Sequence, residues 1–502
     1  MAGYYPIYFL SLSGNSDMKK HQQPEIIGRK AEQDLLAQAL QQPEAQLLAV
    51  YGRRRVGKTY LIRKFYSRQL LFEFSGVHNG ATRSQLENFA HALKQAENMS
   101  LPPAVPTSWG QAFQSLQDVL QPKLKKKKGV VFLDEFPWLN APRSGFLSAF
   151  EFFWNNWASK QPNLVIVICG SAASWMIQKV VNNKGGLHNR ITRKIRLLPF
   201  TLNETADFLS ARKIRLDHYQ IAQLYMTMGG IPHYLKEVEP GQSAAQAIDR
   251  SCFSKDGLLR QEFQNLYHSL FSNAQAHIAI VRALAAKPSG LTRNEIIEAC
   301  ALKTGGTTSL LLDELTESGF IAAYIPFNKS LRDRIYKLSD EYTAFYVKFI
   351  ERSRAMGPGT WLKMMRSQSW KSWSGLAFES LCLKHVSALK AALGIAGIYT
   401  EESAWRFTGR KEVAGCQVDL LIDRSDSCIS LCEMKFSDGP FTISKEYAAV
   451  LTHKRQTFIS ESKTRKTVFL AMVTTFGVSS NVYKASLIQN EITLEDLFSA
   501  SS

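Results

Sequence analysis

Acidic residues, paired cysteines and long apolar runs are scarce in this sequence, and each shortage argues against a class of protein. The 502 residues contain 43 Asp and Glu against 61 Lys and Arg. The seven cysteines form no C-x-x-C pair and no Cys/His group at zinc spacing, which argues against a disulfide scaffold or a zinc ribbon. Because most of these cysteines lie in apolar or helical patterns, we expect buried reduced thiols in a cytoplasmic protein. No apolar run approaches the roughly 18 residues of a membrane span.

The excess of basic residues points to a polyanionic partner. The net charge is +18 and the isoelectric point is about 9.5. Nucleic acid is the first expectation and an anionic membrane surface the second. A basic surface without a specific ligand is the alternative. A chain of this length predicts two to four domains.

One stretch carries the pattern G-x-x-x-x-G-K-[ST] of a phosphate-binding loop. An apolar run at residues 46–51 precedes it and a helical pattern at residues 60–65 follows it, which is the strand–loop–helix context that the motif requires. Backbone N–H groups and the helix N-terminus would hold the phosphates. Lys58 would reach the β- and γ-phosphates, and Thr59 would bind Mg²⁺. The predicted nucleotide contacts are Gly52, Arg53, Arg54, Arg55, Val56, Gly57, Lys58, Thr59 and Tyr60.

A second motif supplies acidic groups for the same site. The apolar run at residues 129–133 ends in Asp134 and Glu135. Asp134 would hold Mg²⁺, and Glu135 would act as the general base on the attacking water. With a further strand at residues 70–76, this combination resembles the additional-strand, catalytic-glutamate branch of P-loop proteins, which includes the AAA+ ATPases.

The resemblance to AAA+ proteins implies roles for residues outside the two motifs. The box at residues 26–29 would place Ile27 and Arg29 near the adenine; a helix lead-in that only packs is the alternative. Ser171, at the tip of the apolar strand 163–170, would orient water against the γ-phosphate. Helix capping is its other role, and both can hold.

The resemblance also implies an arginine finger just ahead of the last strand of the sheet. Arg190 is the first candidate and Arg193 the second; surface or backbone-capping arginines are the alternative. Such a group acts within its own chain or on a second copy, so a homo-oligomer is one arrangement that we consider. Residues 228–235 contain no arginine, which departs from AAA+ proteins with a sensor arginine in the lid.

Residues 201–345 predict a helical lid followed by a winged helix. Thr201 to Glu204 fits a capping box. Helices are predicted at 276–286, 291–300 and 305–320, and strands at 321–325 and 335–338. The third helix and the wing are the usual DNA-contacting parts. Because that helix carries Asp313, Glu314 and Glu317, a purely structural role is the alternative.

The C-terminal part contains a second group of candidate catalytic residues. A predicted hairpin of strands 417–422 and 428–436 brings Asp419 beside Glu433 and Lys435, which share one strand face. Two carboxylates and a lysine around a divalent metal can activate water for phosphodiester hydrolysis. This is the D-x(n)-E-x-K pattern of restriction-endonuclease-like nucleases, and Glu379 matches their additional helix acid. Val418 stands where those proteins usually have proline.

The whole pattern resembles a prokaryotic and archaeal ATPase family that joins a P-loop domain to a restriction-endonuclease-like domain. The predicted fold class is α/β. A loose extension at 1–22 is followed by a P-loop parallel-sheet domain at 23–200, a helical lid at 201–270, a winged helix at 271–345 and a nuclease-like domain at 346–502. The resemblance implies ATP binding and hydrolysis and a link to DNA. The motifs predict Mg²⁺ as the second cofactor, and no membrane partner is expected. A nucleotide-switched DNA-binding or signalling ATPase with a non-catalytic C-terminal domain is the alternative function.

Overall fold

A computed structural model describes residues 26–125, 127–181, 189–271, 273–354, 357–411 and 413–499. The extension predicted at residues 1–22 lies outside the described residues. Within the described ranges, no helix is both long enough and apolar enough to cross a membrane.

The described residues between positions 26 and 200 include a parallel sheet, called here the first sheet. Its described strands are β1 (Gln46–Tyr51), β2 (Leu70–Ser75), β3 (Gly129–Asp134), β4 (Leu164–Gly170) and β5 (Arg193–Arg196). The accompanying helices are α1 (Lys30–Gln41), α2 (Lys58–Phe65), α3 (Thr82–Glu97), α4 (Trp109–Leu124), α5 (Phe136–Leu139), α6 (Phe146–Asn156) and α7 (Ala173–Met176).

Helices cover both faces of the first sheet, which explains why its central strands are apolar throughout. Leu48 and Val50 belong to the same buried cluster as residues of α1 and α2. Leu47 and Ala49 point the opposite way and share a cluster with residues of α3, α4 and α6. The alternation follows from the two-residue period of a strand.

The strand order places the two sequence motifs close together. The order is β2-β3-β4-β1-β5, and all four pairings are parallel. The strand that separates the two motif strands in space is therefore β4, whereas the strand predicted at 70–76 is the edge strand β2. Because β1, β4 and β3 are parallel neighbours, the residues that follow them meet at one edge of the sheet.

A helical region follows the first sheet. Its described helices are α8 (Leu202–Ala211), α9 (His218–Met228), α10 (Pro232–Leu235), α11 (Ala244–Ile248) and α12 (Leu258–Leu270). The capping box predicted at Thr201 is confirmed, since Thr201 Oγ1 accepts from Glu204 N at 3.2 Å and Glu204 Oε2 accepts from Thr201 N at 2.9 Å. Glu204 Oε1 also accepts from Arg29 N at 2.6 Å, so the start of α8 is fixed to the first sheet's entry segment.

Residues 271–345 contain helices and a small antiparallel sheet. The elements are α13 (Ala274–Ala286), β6 (Leu291–Thr292), α14 (Arg293–Ala299), α15 (Gly306–Glu317), β7 (Ile321–Tyr324) and β8 (Ile335–Leu338). The strand order is β6-β8-β7. The bounds of α13, α15, β7 and β8 agree closely with the prediction, and β6 was not predicted.

The C-terminal part contains a mixed sheet, called here the C-terminal sheet. The described helices of this part are α16 (Glu341–Phe345), α17 (Thr360–Met364), α18 (Gln368–Lys384), α19 (Val386–Ala392), α20 (Lys445–Ser462), α21 (Val482–Leu487) and α22 (Leu494–Phe498). The strands of the sheet are β9 (Thr400–Phe407), β10 (Cys416–Arg424), β11 (Cys428–Lys435), β12 (Thr467–Thr474) and β13 (Asn490–Thr493). The order is β13-β12-β11-β10-β9, antiparallel from β9 to β11 and parallel from β11 to β13. The predicted hairpin is β10–β11.

Two ion pairs fasten the phosphate-binding loop to the helical and C-terminal parts. Arg53 pairs with Asp340, which directly precedes α16, and the two side chains are 4% and 1% exposed. Arg55 Nη1 lies 2.8 Å from Glu262 Oε2 on α12. The Arg53 guanidinium also lies 4.9 Å from the centre of the Phe320 ring. The loop is therefore held from outside the first sheet.

We expect Asp340→Asn to destabilise the chain by about 3–5 kcal/mol, because it leaves the buried Arg53 guanidinium without its counter-charge. Asparagine can still cap α16 in place of Asp340, which accepts from Thr343 N at 2.9 Å. Urea denaturation measures the effect. The exposed pair of Lys30 and Asp34 supplies the control, since Asp34→Asn should change stability by less than about 1 kcal/mol. Equal effects of the two substitutions would contradict the importance of the buried pair.

Candidate functional site

Two glycines shape the loop between β1 and α2. Gly52 has a φ of 145°, and a Cβ built there would lie 2.2 Å from the carbonyl oxygen of Leu197. Gly57 has a φ of 96° and directly precedes the first residue of α2. Both values favour glycine, and at Gly52 the neighbouring backbone also excludes a side chain. The loop therefore reaches the helix N-terminus by a path that few other residues could follow.

Lys58 directs its ammonium group back into this loop. Nζ donates to the carbonyl oxygens of Gly52 and Arg53, both at 2.9 Å. The side chain is buried, and burial lowers the pKa of Lys58, while the nearby carboxylates of Asp134 and Glu135 act in the opposite direction. The loop thus contains a desolvated cation, which strengthens its attraction for an anion.

Thr59 and Asp134 bring two oxygen ligands together. Thr59 Oγ1 donates to Asp134 Oδ2 at 2.7 Å, which joins the first turn of α2 to the end of β3. Asp134 Oδ1 accepts from Glu135 N at 3.0 Å, so the carboxylate is fixed in orientation. A hydroxyl and a carboxylate beside a phosphate-binding loop are the ligands that Mg²⁺ prefers. The two residues fit a magnesium ion.

Glu135 and Ser171 are joined although they follow different strands. Ser171 Oγ donates to Glu135 Oε1 at 2.7 Å, and Ser171 N donates to Oε2 at 3.2 Å. Glu135 itself adopts a left-handed backbone conformation with a φ of 45°. The adjacency of β3 and β4 makes this contact possible, and it places a carboxylate next to the phosphate-binding loop.

The comparison with protein families agrees with this geometry. Residues 27–238 match the model of an ATPase domain that occurs predominantly in Archaea. Residues 27–238 form a P-loop ATPase domain. The ATPase domain includes the first sheet and the helical region through α10.

Three similar proteins come from archaea. An uncharacterised protein of Methanocaldococcus jannaschii is 22% identical over 420 residues, which cover 82% of this chain and 88% of that protein. The Walker-type ATPase of Pyrococcus abyssi is 18% identical, with a TM-score of 0.47, over 64% of this chain and 96% of its own. The ORC2 protein of Aeropyrum pernix, solved in ADPNP–ADP complexes, is 16% identical, with a TM-score of 0.42, over 66% of this chain and 94% of its own.

Ile27 and Arg29, predicted near the adenine, have different surroundings within the ATPase domain. Ile27 lines a cavity of about 420 Å³ that residues of α8 close on the other side. The Arg29 side chain is buried, donates to Val56 O at 3.3 Å and stacks 4.5 Å from the centre of the Phe200 ring. Burial lowers the pKa of Arg29, and Glu204 opposes that shift. The Arg29 side chain thus contacts the phosphate-binding loop at Val56, whereas Ile27 lines a cavity.

Arg190 and Arg193 lie away from the phosphate-binding loop along the sheet. Arg193 begins β5 and pairs with Leu48, whereas the loop follows Tyr51, the partner of Arg196. At about 3.3 Å per residue, this offset is roughly 10 Å along the strand. Arg190 is exposed and lies in a turn that precedes β5 by two residues. Arg193 Nη1 donates to Thr192 O at 2.9 Å.

A cluster of three carboxylates, Glu379, Asp419 and Glu433, forms the second candidate site. Glu379 comes from α18, Asp419 from β10 and Glu433 from β11. Asp419 Oδ2 accepts from Met434 N at 2.9 Å, so the hairpin brings the two predicted acidic positions together. Lys435 Nζ lies 3.8 Å from Glu433 Oε2, which agrees with the shared strand face. The hairpin therefore brings Asp419, Glu433 and Lys435 close together, and Glu379 lies on α18, which packs against β11.

The electrostatics of the carboxylate cluster are those of crowded, buried acids. Burial and the charge of Asp419 raise the pKa of Glu379 to about 8. Burial and Asp419 also raise the pKa of Glu433, while Lys454 and Lys435 oppose the rise. A divalent cation would relieve this repulsion. Carboxylate oxygens fit such an ion, and Asp419 and Glu433, which face each other across the β10–β11 hairpin, are the pair that would hold it, with Glu379 as an outer group.

Two residues of α20 modify the cluster in a way that the sequence motif did not indicate. Lys454 Nζ donates to Glu433 Oε1 at 2.6 Å, and Tyr447 OH donates to Glu433 Oε2 at 3.2 Å. Among the described residues, no three His, Cys, Asp or Glu side chains are arranged as a metal site. Lys454 therefore competes with a cation for Glu433. Tyr447 and Lys454 are seven residues apart, a spacing that places both on one helix face and could have revealed them.

The sequence also gives no indication of the ion pairs that two arginines of the loop form. The motif predicts Arg53 and Arg55 as nucleotide contacts, yet their side chains pair with Asp340 and Glu262. Tyr234 OH donates to Glu262 Oε1 at 2.9 Å and fixes that carboxylate. Only the backbone N–H groups of these two residues remain for the phosphate contacts that the motif predicts. Nothing in the local pattern distinguishes an arginine that contacts phosphate from one that contacts a distant acid.

We expect Gly52→Ala to weaken both folding and nucleotide binding. Backbone strain alone costs roughly 1–3 kcal/mol, and the clash with Leu197 adds to it because a backbone carbonyl cannot move aside. Gly145→Ala is the matched control: Gly145 also has a positive φ, of 67°, but nothing lies within 4 Å of a Cβ built there. That change should cost only about 1–2 kcal/mol. Urea denaturation and nucleotide titration measure both effects, and equal losses would contradict the steric explanation.

Proposed function

We propose that this chain hydrolyses ATP with Mg²⁺ and couples the reaction to the processing of DNA, with metal-dependent cleavage of phosphodiester bonds at the carboxylate cluster. The observation that carries the first part is the contact of Glu135 with Ser171, beside Thr59, Asp134 and Lys58. The second part is supported by the assembly of Asp419, Glu433, Glu379 and Lys435 in one cluster.

Glu135 is the general base of the proposed ATP hydrolysis. Its carboxylate follows β3 at the edge of the sheet where the phosphate-binding loop lies, and Ser171 holds it through two hydrogen bonds. Ser171 thereby acts as a positioning residue for the base and the water. Lys58 and the loop N–H groups bind the phosphates, and Mg²⁺, when bound to Thr59 and Asp134, neutralises phosphate charge.

The remaining predicted nucleotide contacts have separate support. The cavity of about 420 Å³ beside Ile27 has room for the base, and Arg29 keeps the loop in place behind it. Because Arg190 lies toward the opposite end of β5 from the loop, we propose that it acts as an arginine finger only on a second copy of the chain. Arg193, which donates to a neighbouring carbonyl, is the weaker candidate.

We expect Glu135→Gln to retain ATP binding and to lower turnover by about 10²–10⁴-fold, because glutamine keeps the contacts of Ser171 but cannot accept a proton. Lys58→Ala should instead weaken ATP binding by roughly 10–150-fold, since a charge-assisted hydrogen bond is lost. Titration with a fluorescent nucleotide and a phosphate-release assay separate the two effects. Glu87→Gln, at an exposed pair on α3, is the control. Wild-type turnover in Glu135→Gln would refute its role.

Action on DNA is supported by charge and by architecture. The net charge of +18 favours a polyanion. The helices α13 to α15 followed by the β7–β8 ribbon have the order of a winged helix, a common DNA-binding module. The antiparallel β9–β11 strands, flanked by α18 and α20, fit a restriction-endonuclease-like domain.

A second function is favoured by one specific contact. Lys454 holds Glu433 in an ion pair at 2.6 Å, an arrangement that could stabilise the fold without a metal. On that interpretation the chain is a nucleotide-switched DNA-binding or signalling ATPase, and the C-terminal part only binds. The two functions differ in whether a divalent metal binds at Asp419.

We expect Asp419→Asn to abolish Mn²⁺-dependent cleavage of DNA and to remove the matching Mn²⁺ signal in isothermal titration, because a metal ligand loses its charge. Asp426→Asn is the control, since Asp426 is a charged residue of the same hairpin that pairs with Arg424. The ATPase rate should not change in either variant. If the wild type shows neither Mn²⁺ binding nor cleavage of any DNA form, the binding-only function is correct.

Substitutions of Lys435 and Lys454, the two lysines that pair with Glu433, separate metal binding from cleavage. Lys435→Ala should retain Mn²⁺ and lose cleavage rate, because its ammonium would act on the water or the phosphate. Lys454→Met should tighten Mn²⁺ binding, because it removes the cation that competes for Glu433. Weaker Mn²⁺ binding in Lys454→Met would contradict the competition that the ion pair implies.

A further inference from the structure

A large cavity lies between the ATPase domain, the three-stranded sheet and the C-terminal part. Its volume is about 1510 Å³. The ATPase side of the lining includes Arg196 and Phe200. The three-stranded sheet contributes Tyr324 and Lys337, and the helix α18 contributes Trp373 and Glu379. Pockets for small molecules measure roughly 300–1,000 Å³, so this cavity has room for a more extended ligand.

The cavity meets the carboxylate cluster at Glu379. That residue lines the cavity and belongs to the cluster, so the cavity reaches the cluster on the side of α18. Lys337, on β8, lines the same cavity as Glu379; burial lowers the pKa of Lys337, and the charges of Glu379 and Asp419 oppose that shift. A lysine from a different part of the chain therefore supplies positive charge to the proposed cleavage site, and the sequence motif gave no indication of it.

The lining contains cations, carboxylates and aromatic rings, and the cations and rings are the groups that suit a polynucleotide. Lys337 Nζ lies 5.6 Å from the centre of the Tyr324 ring. Lys348 and Arg352 add exposed positive charge where the cavity opens. Sites for single-stranded nucleic acid pair basic groups, which follow the phosphates, with aromatic rings, on which bases stack. A duplex keeps its base faces covered, so only an unpaired strand can use such rings.

We propose that this cavity binds a single-stranded polynucleotide and presents its backbone to the carboxylate cluster, with Lys337 on a phosphate and Tyr324 against a base. The assignment rests on the proposed DNA-processing function and names its substrate as a single strand. In this proposal Lys337 is a binding residue of a site that the three-stranded sheet and the helix α18 form together.

The test is a binding measurement on the full chain in EDTA, without ATP, so that neither reaction contributes. The probes are a fluorescent oligothymidylate of about 12 nucleotides, within the range of single-strand sites, and a blunt duplex of the same length. We expect the single strand to bind more tightly than the duplex. Its affinity should fall with salt, with a log–log slope of about −0.7 for each phosphate contact.

Variants locate the site. Lys337→Ala should weaken binding several-fold and reduce the salt slope by about 0.7, and Lys337→Arg should restore both. Tyr324→Ala should weaken binding by roughly 5–150-fold, while Tyr324→Phe keeps the ring and the affinity. Lys363→Ala, an exposed lysine on α17 outside the cavity lining, is the control. Nucleotide affinity and thermal stability, measured in parallel, show that each variant is folded.

The outcomes distinguish this inference from the function on which it rests. Duplex bound as tightly as single strand, or single-strand affinity unchanged in both Lys337→Ala and Tyr324→Ala, overturns the cavity assignment and leaves DNA processing in place. Absence of binding to either probe at low salt overturns both.

Discussion

The parallel pairing of β1, β4 and β3 is the constraint on which the nucleotide site depends. Tyr51 pairs with Gly170, and Leu133 pairs with Ile168, so the residues that follow all three strands emerge at one level. The contacts of Thr59 with Asp134 and of Glu135 with Ser171 exist only in this register. A shift of one residue would turn every side chain of the shifted strand to the opposite face and separate these groups.

Buried charges connect that site to the rest of the chain. The loop carries Arg53, Arg55 and Lys58 within six residues, and each has a defined acceptor: Asp340, Glu262 and the loop carbonyls. Desolvation offsets much of the attraction in such pairs, so they define which surfaces meet more than they add stability. Asp340 follows β8, the strand that bears Lys337. One short segment of the chain thus supplies the acidic partner of the nucleotide loop and a lysine of the cavity that Glu379 also lines.

The sequence predicted the parts of the structure that local patterns encode. The strand–loop–helix around Lys58, the Asp134–Glu135 strand end, the capping box at Thr201 and the β10–β11 hairpin all depend on neighbours along the chain. Contacts that join distant residues could not be predicted in this way. Arg53 and Asp340 carry no shared motif, Lys454 contacts Glu433 from the next helix, and Lys337 and Glu379 line one cavity from different parts of the chain. The position of β4 between β1 and β3 likewise follows from packing and not from chain order.

The place of β1 within its sheet determines when the nucleotide site can form during synthesis. Both of its neighbours come much later in the chain: β4 begins at Leu164 and β5 at Arg193. A ribosome that adds about 5–20 residues each second leaves the apolar residues 46–51 without their partners for on the order of ten seconds. During that interval the segment is a target for chaperones and for wrong pairing. The loop encoded near the beginning of the chain is therefore completed only when the last strand of its sheet has emerged.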